Sequence, residues 1–200
     1  MNKILGGEGF IELIKKLIDF LKYNLIDKYE FKYFSIKLSD FSYRFSEKSS
    51  SLNIRIANKN DIKKIKNDIY PLLGKREEYD KRFISRIGDD NIIIFLMEKN
   101  NKIIHYSLIF KNALDSPLMK TNLNKLYITN VSAYLGSVFT VPKERGVFIL
   151  PSVLGYIIKY LSMKSEIEKL LILIHPPTAT TKNSHQFYKI LGFKEIDNFK

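Results

Sequence analysis

Two short apolar segments separated by a pair of asparagines constrain the fold more than any other feature of this sequence. Residues 91–98 and 102–110 are rich in branched aliphatic and aromatic side chains, which favour β-strands. Asn100 and Asn101 lie between them, and asparagine tolerates the positive φ angles that a tight hairpin turn requires. We therefore predict a β-hairpin whose first strand is buried.

Strand and helix patterns alternate through the rest of the chain after residue 52. Period-two alternation predicts strands, and apolar residues at helical spacing predict helices. The strands are expected at 52–57, 126–141 (as one strand or two), 170–174 and from 193. The helices are expected at 62–69, 75–87, 144–163 and 184–191. This order predicts an α+β or mixed α/β fold.

The first 50 residues have a different character. Apolar residues at helical spacing over 9–24 predict an amphipathic helix, 30–38 a strand or an extended arm, and the serine-rich stretch 41–51 a linker. We place a domain boundary near residue 50 and expect 51–200 to fold alone, though less stably. The helix could pack on the domain or on a second subunit, or it could lie on a membrane surface. Its nearly neutral charge favours packing.

Composition excludes several kinds of site. The chain has no cysteine, which rules out disulfides, thiolate metal sites and a cysteine nucleophile, and its three histidines make a histidine-rich metal site unfavourable. The net charge of +12 suits a phosphorylated small molecule, an anionic membrane or nucleic acid, but the basic residues are scattered, which argues against nucleic acid. No signal peptide or membrane-spanning stretch is apparent, so we expect a cytoplasmic protein.

One segment combines a strand, a turn and a helix start in a way that suits an anion. Val141-Pro142 ends the predicted strand, and Arg145-Gly146 follows before a long helix. A helix N-terminus offers free backbone N–H groups and a positive dipole, and glycine lets a ligand approach the backbone closely. The segment resembles the acyl-CoA-binding motif of the GNAT superfamily, Arg-Gly-x-Gly-x-Gly, with Phe148 and Leu150 in the places of the second and third glycines.

Two further segments resemble the same family. Ser184-His-Gln-Phe-Tyr188-Lys-Ile-Leu-Gly192-Phe193 is similar to its closing motif, Ser-x-x-x-Tyr-x-x-x-Gly-Phe. The asparagine that often stands seven residues before the tyrosine is Thr181 here, with Asn183 close by. Arg55 and Asp61 match the family's first strand and helix start. The ordered set covers about 150 residues.

This resemblance implies a fold and a ligand. A splayed central β-sheet flanked by helices would bind an acyl-CoA, such as acetyl-CoA, as a cosubstrate without a metal, and pantetheine would pair with the exposed edge of residues 139–141. The implied cofactor-binding residues are Phe139, Thr140, Val141, Arg145, Gly146, Val147, Phe148, Ile149 and Asn183.

The resemblance also implies an acyl transfer. By analogy with the family, Tyr188 would protonate the departing thiolate. Many relatives carry a glutamate base on the central strand, but residues 127–141 contain no Asp or Glu. The base is left open between His105, His175, a water chain and solvent, and we name His105 with Tyr188 as the catalytic candidates.

Three functions remain open. The first is N-acyl transfer, with acetyl as the expected group, to an amine of a small molecule such as an amino sugar or a nucleotide-linked sugar. The second is a non-catalytic binding module that kept the fold, and the third is acylation of a membrane-associated acceptor. A homodimer is possible.

Overall fold

The computed structural model describes residues 32–41, 53–73, 81, 84–121, 127–146, 148–164, 166–174 and 184–196. Within them lie seven strands and four α-helices. The strands are β1 Lys32–Lys37, β2 Asn53–Ile56, β3 Ile92–Lys99, β4 Lys102–Phe110, β5 Ser132–Thr140, β6 Lys169–Ile174 and β7 Lys194–Ile196. The helices are α1 Asp61–Asp68, α2 Tyr70–Leu73, α3 Ile149–Ser162 and α4 Ser184–Ile190.

The strands form one mixed sheet in the order β2-β3-β4-β5-β6-β1-β7. The described pairings are antiparallel except that of β5 with β6. The predicted hairpin is β3 and β4, and Asn100 and Asn101 at its turn have φ angles of 50° and 59°. Both signs match the turn that two-residue hairpins favour. The α+β fold class is therefore confirmed.

Helices cover both faces of this sheet. On one face, α3 contributes Val153, Leu154, Ile157, Ile158 and Leu161 to a core that also contains Phe34 and Phe95; we refer to it as the α3-face core. On the other face, Ile65 of α1 and Ile69, the residue after it, pack with Tyr106 and Phe110. Alternate side chains of each central strand enter opposite cores, as the pleat requires.

Helix α3 begins at Ile149, five residues later than the predicted start at residue 144. Pro142–Glu144 forms a 3₁₀ turn, and Arg145 is extended, with φ −66° and ψ 126°, which stops a continuous helix there. Pro151 then lies in the first turn, where its missing N–H costs no intrahelical hydrogen bond.

An ion-pair network joins the first strand of the matched segment to its helix. The Arg55 guanidinium donates two hydrogen bonds of 2.7 Å to the Asp61 carboxylate and also pairs with Glu98. Lys64 donates to Glu98 at 2.7 Å. Arg55 holds the pKa of Asp61 below its usual value, and Lys64 does the same for Glu98. The residues that resemble the family here therefore hold β2, α1 and β3 together.

Strand β1 occupies an interior position although it comes before the boundary predicted at residue 50. It pairs with β6 along all six residues and with β7 from Tyr33 to Ser35. Phe34 and Ile36 are 0% and 2% exposed. Independent folding of 51–200 stays a prediction. The predicted helix at 9–24, the linker after residue 41 and most of the helix predicted at 75–87 lie outside the described residues.

Truncation tests the boundary. A chain that begins at residue 51 lacks β1, so β6 and β7 lose the strand that both pair with. The core also loses the buried side chains of Tyr33, Phe34 and Ile36, and each contributes about 1.5–3 kcal/mol to stability. We expect its free energy of unfolding to fall by more than about 5 kcal/mol, measured by urea denaturation. A chain that begins at residue 31 keeps β1 and serves as the control. An unchanged urea midpoint in the shorter chain would show that β1 is dispensable.

Candidate functional site

The parallel strands β5 and β6 separate along their length. Their pairing runs from Ser132 and Lys169 to Leu135 and Ile172 and ends there. Beyond that point β5 continues to Thr140 beside β4 only, and β6 continues to Ile174 beside β1 only. A register shift at Gly136 accompanies the separation, since Leu108 pairs with Ser137 and Ile109 with Leu135. The carboxyl ends of the two strands therefore share no described backbone pairing, and we refer to this opening of the sheet as the cleft.

Backbone alternation shows which groups of β5 face this cleft. Val141 donates its N–H to the Ile104 carbonyl on β4 at 2.9 Å. Groups of alternate residues point to opposite edges, so the N–H and C=O of Val138 and Thr140 point toward the cleft. Consistently, the Thr140 carbonyl accepts from Arg145 Nε at 3.2 Å rather than from β4. These backbone groups can hydrogen-bond an extended amide-containing ligand.

This assignment refines the sequence-based prediction. By the same alternation, Phe139, a predicted cofactor-binding residue, turns its backbone groups toward β4. Its side chain stacks on Tyr106 on the α1 face of the sheet, with ring centroids 6.0 Å apart, and its part in binding stays a prediction. The register adds Val138, which the sequence analysis did not name, as a candidate. Strand alternation counted back from Thr140 could have found it, but only once the register with β4 was known.

The N-terminus of α3 follows directly after β5. Its N-cap residue, Phe148, provides no side-chain cap, so the first N–H groups of the helix, at Ile149 and Leu150, have no intrahelical acceptor. The Phe148 side chain is 59% exposed. An α-helix of 14 residues has a positive N-terminal dipole end that favours an anion.

Gly146 lies on the exposed turn before this helix end. A Cβ built there would meet no described atom within 4 Å. Packing among the described residues therefore does not demand glycine at this position, and space remains for a ligand to approach the backbone. Val147 and Asn183, both predicted to bind the cofactor, lie outside the residues whose side chains the structure describes.

His105 lies beneath the cleft edge and is fully buried. It is opposite Thr140 in the β4–β5 register, and its Nδ1 lies 2.7 Å from the Thr140 hydroxyl while its Nε2 lies 2.8 Å from the Ser107 hydroxyl. Burial lowers the pKa of His105 from 6.5 to about 3, so the ring is neutral at physiological pH. With both nitrogens engaged, this histidine fixes the Thr140 side chain and is poorly suited to accept a proton from a substrate.

Tyr188 lies on α4 and belongs to the α3-face core, against which Val138, Val141 and Ile149 also pack. Its side chain is 8% exposed, and burial raises the pKa of its phenol, so the hydroxyl stays protonated at neutral pH. Its contacts among the described residues are aromatic, with Phe34, Phe187 and Phe193.

The end of α4 fixes the orientation of Tyr188. Gly192 has a φ of +92°, donates its N–H to the Lys189 carbonyl at 3.0 Å, and lets Phe193 donate to the Tyr188 carbonyl at 3.0 Å. This pair of bonds is the Schellman motif, which requires a left-handed residue and thus favours glycine. The Gly-Phe pair of the closing motif thereby ends the helix that carries the tyrosine.

No group of three or more histidine and acidic side chains among the described residues could hold a metal ion. None of their helices combines the length and the apolar character needed to cross a membrane.

The neutral, buried His105 gives stability a distinct pH dependence. The unfolded chain binds a proton at this residue below pH 6.5 and the folded chain does not until about pH 3, so stability decreases as the pH falls through this window. We expect a loss of about 1 kcal/mol per pH unit between pH 6 and 5, measured by urea denaturation.

His105→Gln keeps a neutral hydrogen-bonding side chain without a titratable ring, and it should flatten this slope. Asp61, Glu98 and Glu195 have lowered pKa values, so they contribute mainly below pH 4.5 and do not interfere. Equal slopes for the two proteins would contradict the buried neutral state.

Comparison with solved structures identifies the fold. A conserved protein of unknown function from Staphylococcus epidermidis matches with a TM-score of 0.54 and 12% identity over 98% of this chain, which spans 66% of that one. An aminoglycoside N-acetyltransferase in complex with CoA matches at 0.55 and 11% identity, over 74% of this chain and 91% of the other. A predicted acetyltransferase with acetyl-CoA from Clostridium acetobutylicum matches at 0.53 and 20% identity, over 74% and 94%.

Sequence comparisons add nothing to this result, because no protein-family model and no curated protein sequence matches the chain. The structural neighbours include several GNAT acetyltransferases, and they share the mixed sheet flanked by helices. The chain therefore has the GNAT fold.

Proposed function

We propose that this protein is an acyl-CoA-dependent N-acyltransferase. The observation that carries the proposal is the cleft between β5 and β6, which opens beside the uncapped N-terminus of α3. Pantetheine would hydrogen-bond to the backbone of Val138 and Thr140, and the pyrophosphate would bind at Gly146 and the first N–H groups of α3. The CoA and acetyl-CoA complexes of proteins with this fold support the same ligand class.

The proposed chemistry needs few protein groups. The acceptor amine attacks the thioester carbonyl, the carbon–sulfur bond breaks, and the thiolate takes a proton from Tyr188. The attacking nitrogen loses its proton to water, since β5 carries no carboxylate and His105 is buried with a low pKa. Tyr188 is protonated at neutral pH, as a proton donor must be, but burial raises its pKa and makes the phenol a weaker acid.

The acceptor in this proposal is the amine of a small molecule, and acetyl is the group transferred. The net charge of +12 favours an acceptor that carries phosphate, such as a nucleotide-linked amino sugar. An aminoglycoside N-acetyltransferase among the structural neighbours acts on an amino sugar derivative, which supports the same class of acceptor.

A non-catalytic binding module is the second candidate. Two departures from the motifs of the resembled family favour it: β5 carries no carboxylate, and Phe148 and Leu150 stand in the places of two glycines. The burial of His105 favours it too, because it removes a candidate base. Binding of acetyl-CoA without turnover would support this candidate over the enzyme.

Gly146→Val tests the phosphate position. The new side chain would meet no described protein atom but would occupy the space through which the pyrophosphate approaches, so affinity should fall by at least about tenfold while the melting temperature stays unchanged. Isothermal titration calorimetry with acetyl-CoA measures the affinity. Met163→Val, at the exposed far end of α3, is the control. Wild-type affinity in Gly146→Val would place the phosphates elsewhere.

Tyr188→Phe tests the general acid. The change keeps the ring and its packing, and the hydroxyl has no hydrogen-bond partner among the described residues, so stability and acetyl-CoA affinity should change little. The rate of thiol release from acetyl-CoA should fall by roughly ten- to ten-thousand-fold, the range that general acid catalysis supplies. A spectroscopic thiol assay without acceptor is sufficient. Unchanged turnover would make Tyr188 a packing residue.

A further inference from the structure

Strand β1 reaches the proposed general acid from a distant part of the chain. It lies between β6 and β7, with Phe34 opposite Ile172 on one side and Glu195 on the other. Since β6 forms one wall of the cleft and β7 follows the helix that carries Tyr188, β1 borders both. Residues that precede the matched family motifs therefore contact the core of the site.

The first contact is aromatic. The ring of Phe34 lies 6.5 Å from that of Tyr188 and 5.9 Å from that of His185, both on α4. Phe187 and Phe193 also contact the Tyr188 ring edge-on at 5.4 Å, but they belong to α4 itself and to the turn after it. Among the described rings that contact Tyr188, Phe34 is the one on a sheet strand, and it has no exposed surface.

The second contact is electrostatic. The Glu195 carboxylate accepts from Lys189 at 2.7 Å and also pairs with Lys32. Lys189 follows Tyr188 on α4, and Lys32 begins β1, so one carboxylate ties the helix to the strand. The hydrogen bond from Lys189, and to a smaller extent that from Lys32, holds the pKa of Glu195 below its usual value. The Glu195 carboxylate is therefore charged at neutral pH.

We propose that β1 is the element that positions Tyr188, with Phe34 as the positioning residue. This inference rests on the proposed function, in which the phenol must lie within hydrogen-bonding distance of the departing sulfur. A displacement of about 1 Å at a reacting group can cost about a hundredfold in rate, and a smaller residue in place of Phe34 lets α4 shift against the sheet.

A double-mutant comparison tests the proposal. Phe34→Leu should lower the rate of acetyl-CoA thiol release at saturating acetyl-CoA by at least about tenfold, with the dissociation constant unchanged, because the loss arises in the transition state. The same change in the Tyr188→Phe background should have little further effect, since the group that Phe34 positions is already absent. Loss of packing in general would lower the rate equally in both backgrounds.

Ile36→Val is the matched control, because Ile36 lies on the same strand and in the same core, and the substitution likewise makes a buried apolar side chain smaller. It should leave turnover near the wild-type value. Glu195→Gln provides a second variant that leaves the core intact, and it should reduce turnover by up to about fivefold in the wild-type background alone.

The results distinguish failure of the positioning proposal from failure of the proposed function. If the turnover losses of Phe34→Leu and Tyr188→Phe multiply in the double variant, β1 does not position Tyr188. A wild-type rate in Phe34→Leu leads to the same conclusion. Either result leaves the proposed function standing. A wild-type rate in Tyr188→Phe would show that Tyr188 is not the general acid, and the positioning proposal would then fail as well. Failure of the unaltered protein to bind acetyl-CoA overturns the proposed function itself.

Discussion

The separation of two neighbouring strands within a seven-stranded sheet is the constraint on which the site depends. Buried backbone N–H and C=O groups are costly unless something satisfies them, so a sheet that opens between β5 and β6 must offer its edges to water or to a ligand. The opening persists because each strand pairs with another strand on the edge that faces away from the opening. Strand β4 pairs with β5 up to the Val141–Ile104 hydrogen bond, and β1 pairs with β6 up to Ile174.

Helix α3 extends this opening into a polar binding surface. The 3₁₀ turn at Pro142–Glu144 and the extended Arg145 turn the chain out of β5 before the helix begins. Arg145 folds back onto the Thr140 carbonyl, so a cation lies beside the cleft edge and close to the uncapped helix end. This surface fits an extended ligand with amides at one end and phosphates at the other. The amides would meet the backbone edge of β5, and the phosphates would meet Arg145 and the N-terminus of α3.

Burial weakens the acid–base capacity of both residues that the sequence names as catalytic candidates. Both His105 and Tyr188 are driven toward their neutral forms, because a low-dielectric environment disfavours charge. For a phenol, the neutral form is the proton donor, so Tyr188 keeps its proton, but the raised pKa makes transfer to the thiolate less favourable. For an imidazole that already bonds two hydroxyls, the same effect weakens its capacity as a base, and His105 instead couples the cleft strand β5 to β4.

The sequence by itself determined the elements that local patterns control. The β3–β4 hairpin with its asparagine turn, the apolar strand β6, the end of α4 at Gly192 and the order of an α+β fold all follow from spacing, side-chain shape and backbone preference within short windows. The motif segments at Arg145-Gly146 and Tyr188 also indicated the GNAT fold, which the structure then showed.

Only the tertiary structure decided the rest. The start of α3 depends on a 3₁₀ turn, the cleft-facing groups of β5 depend on its register with β4, and the burial of His105 depends on both neighbouring strands. The place of β1 between β6 and β7 joins segments more than 130 residues apart, and no local pattern encodes such a pairing. Long-range contacts of this kind are decided by which buried surfaces fit together once the sheet has formed.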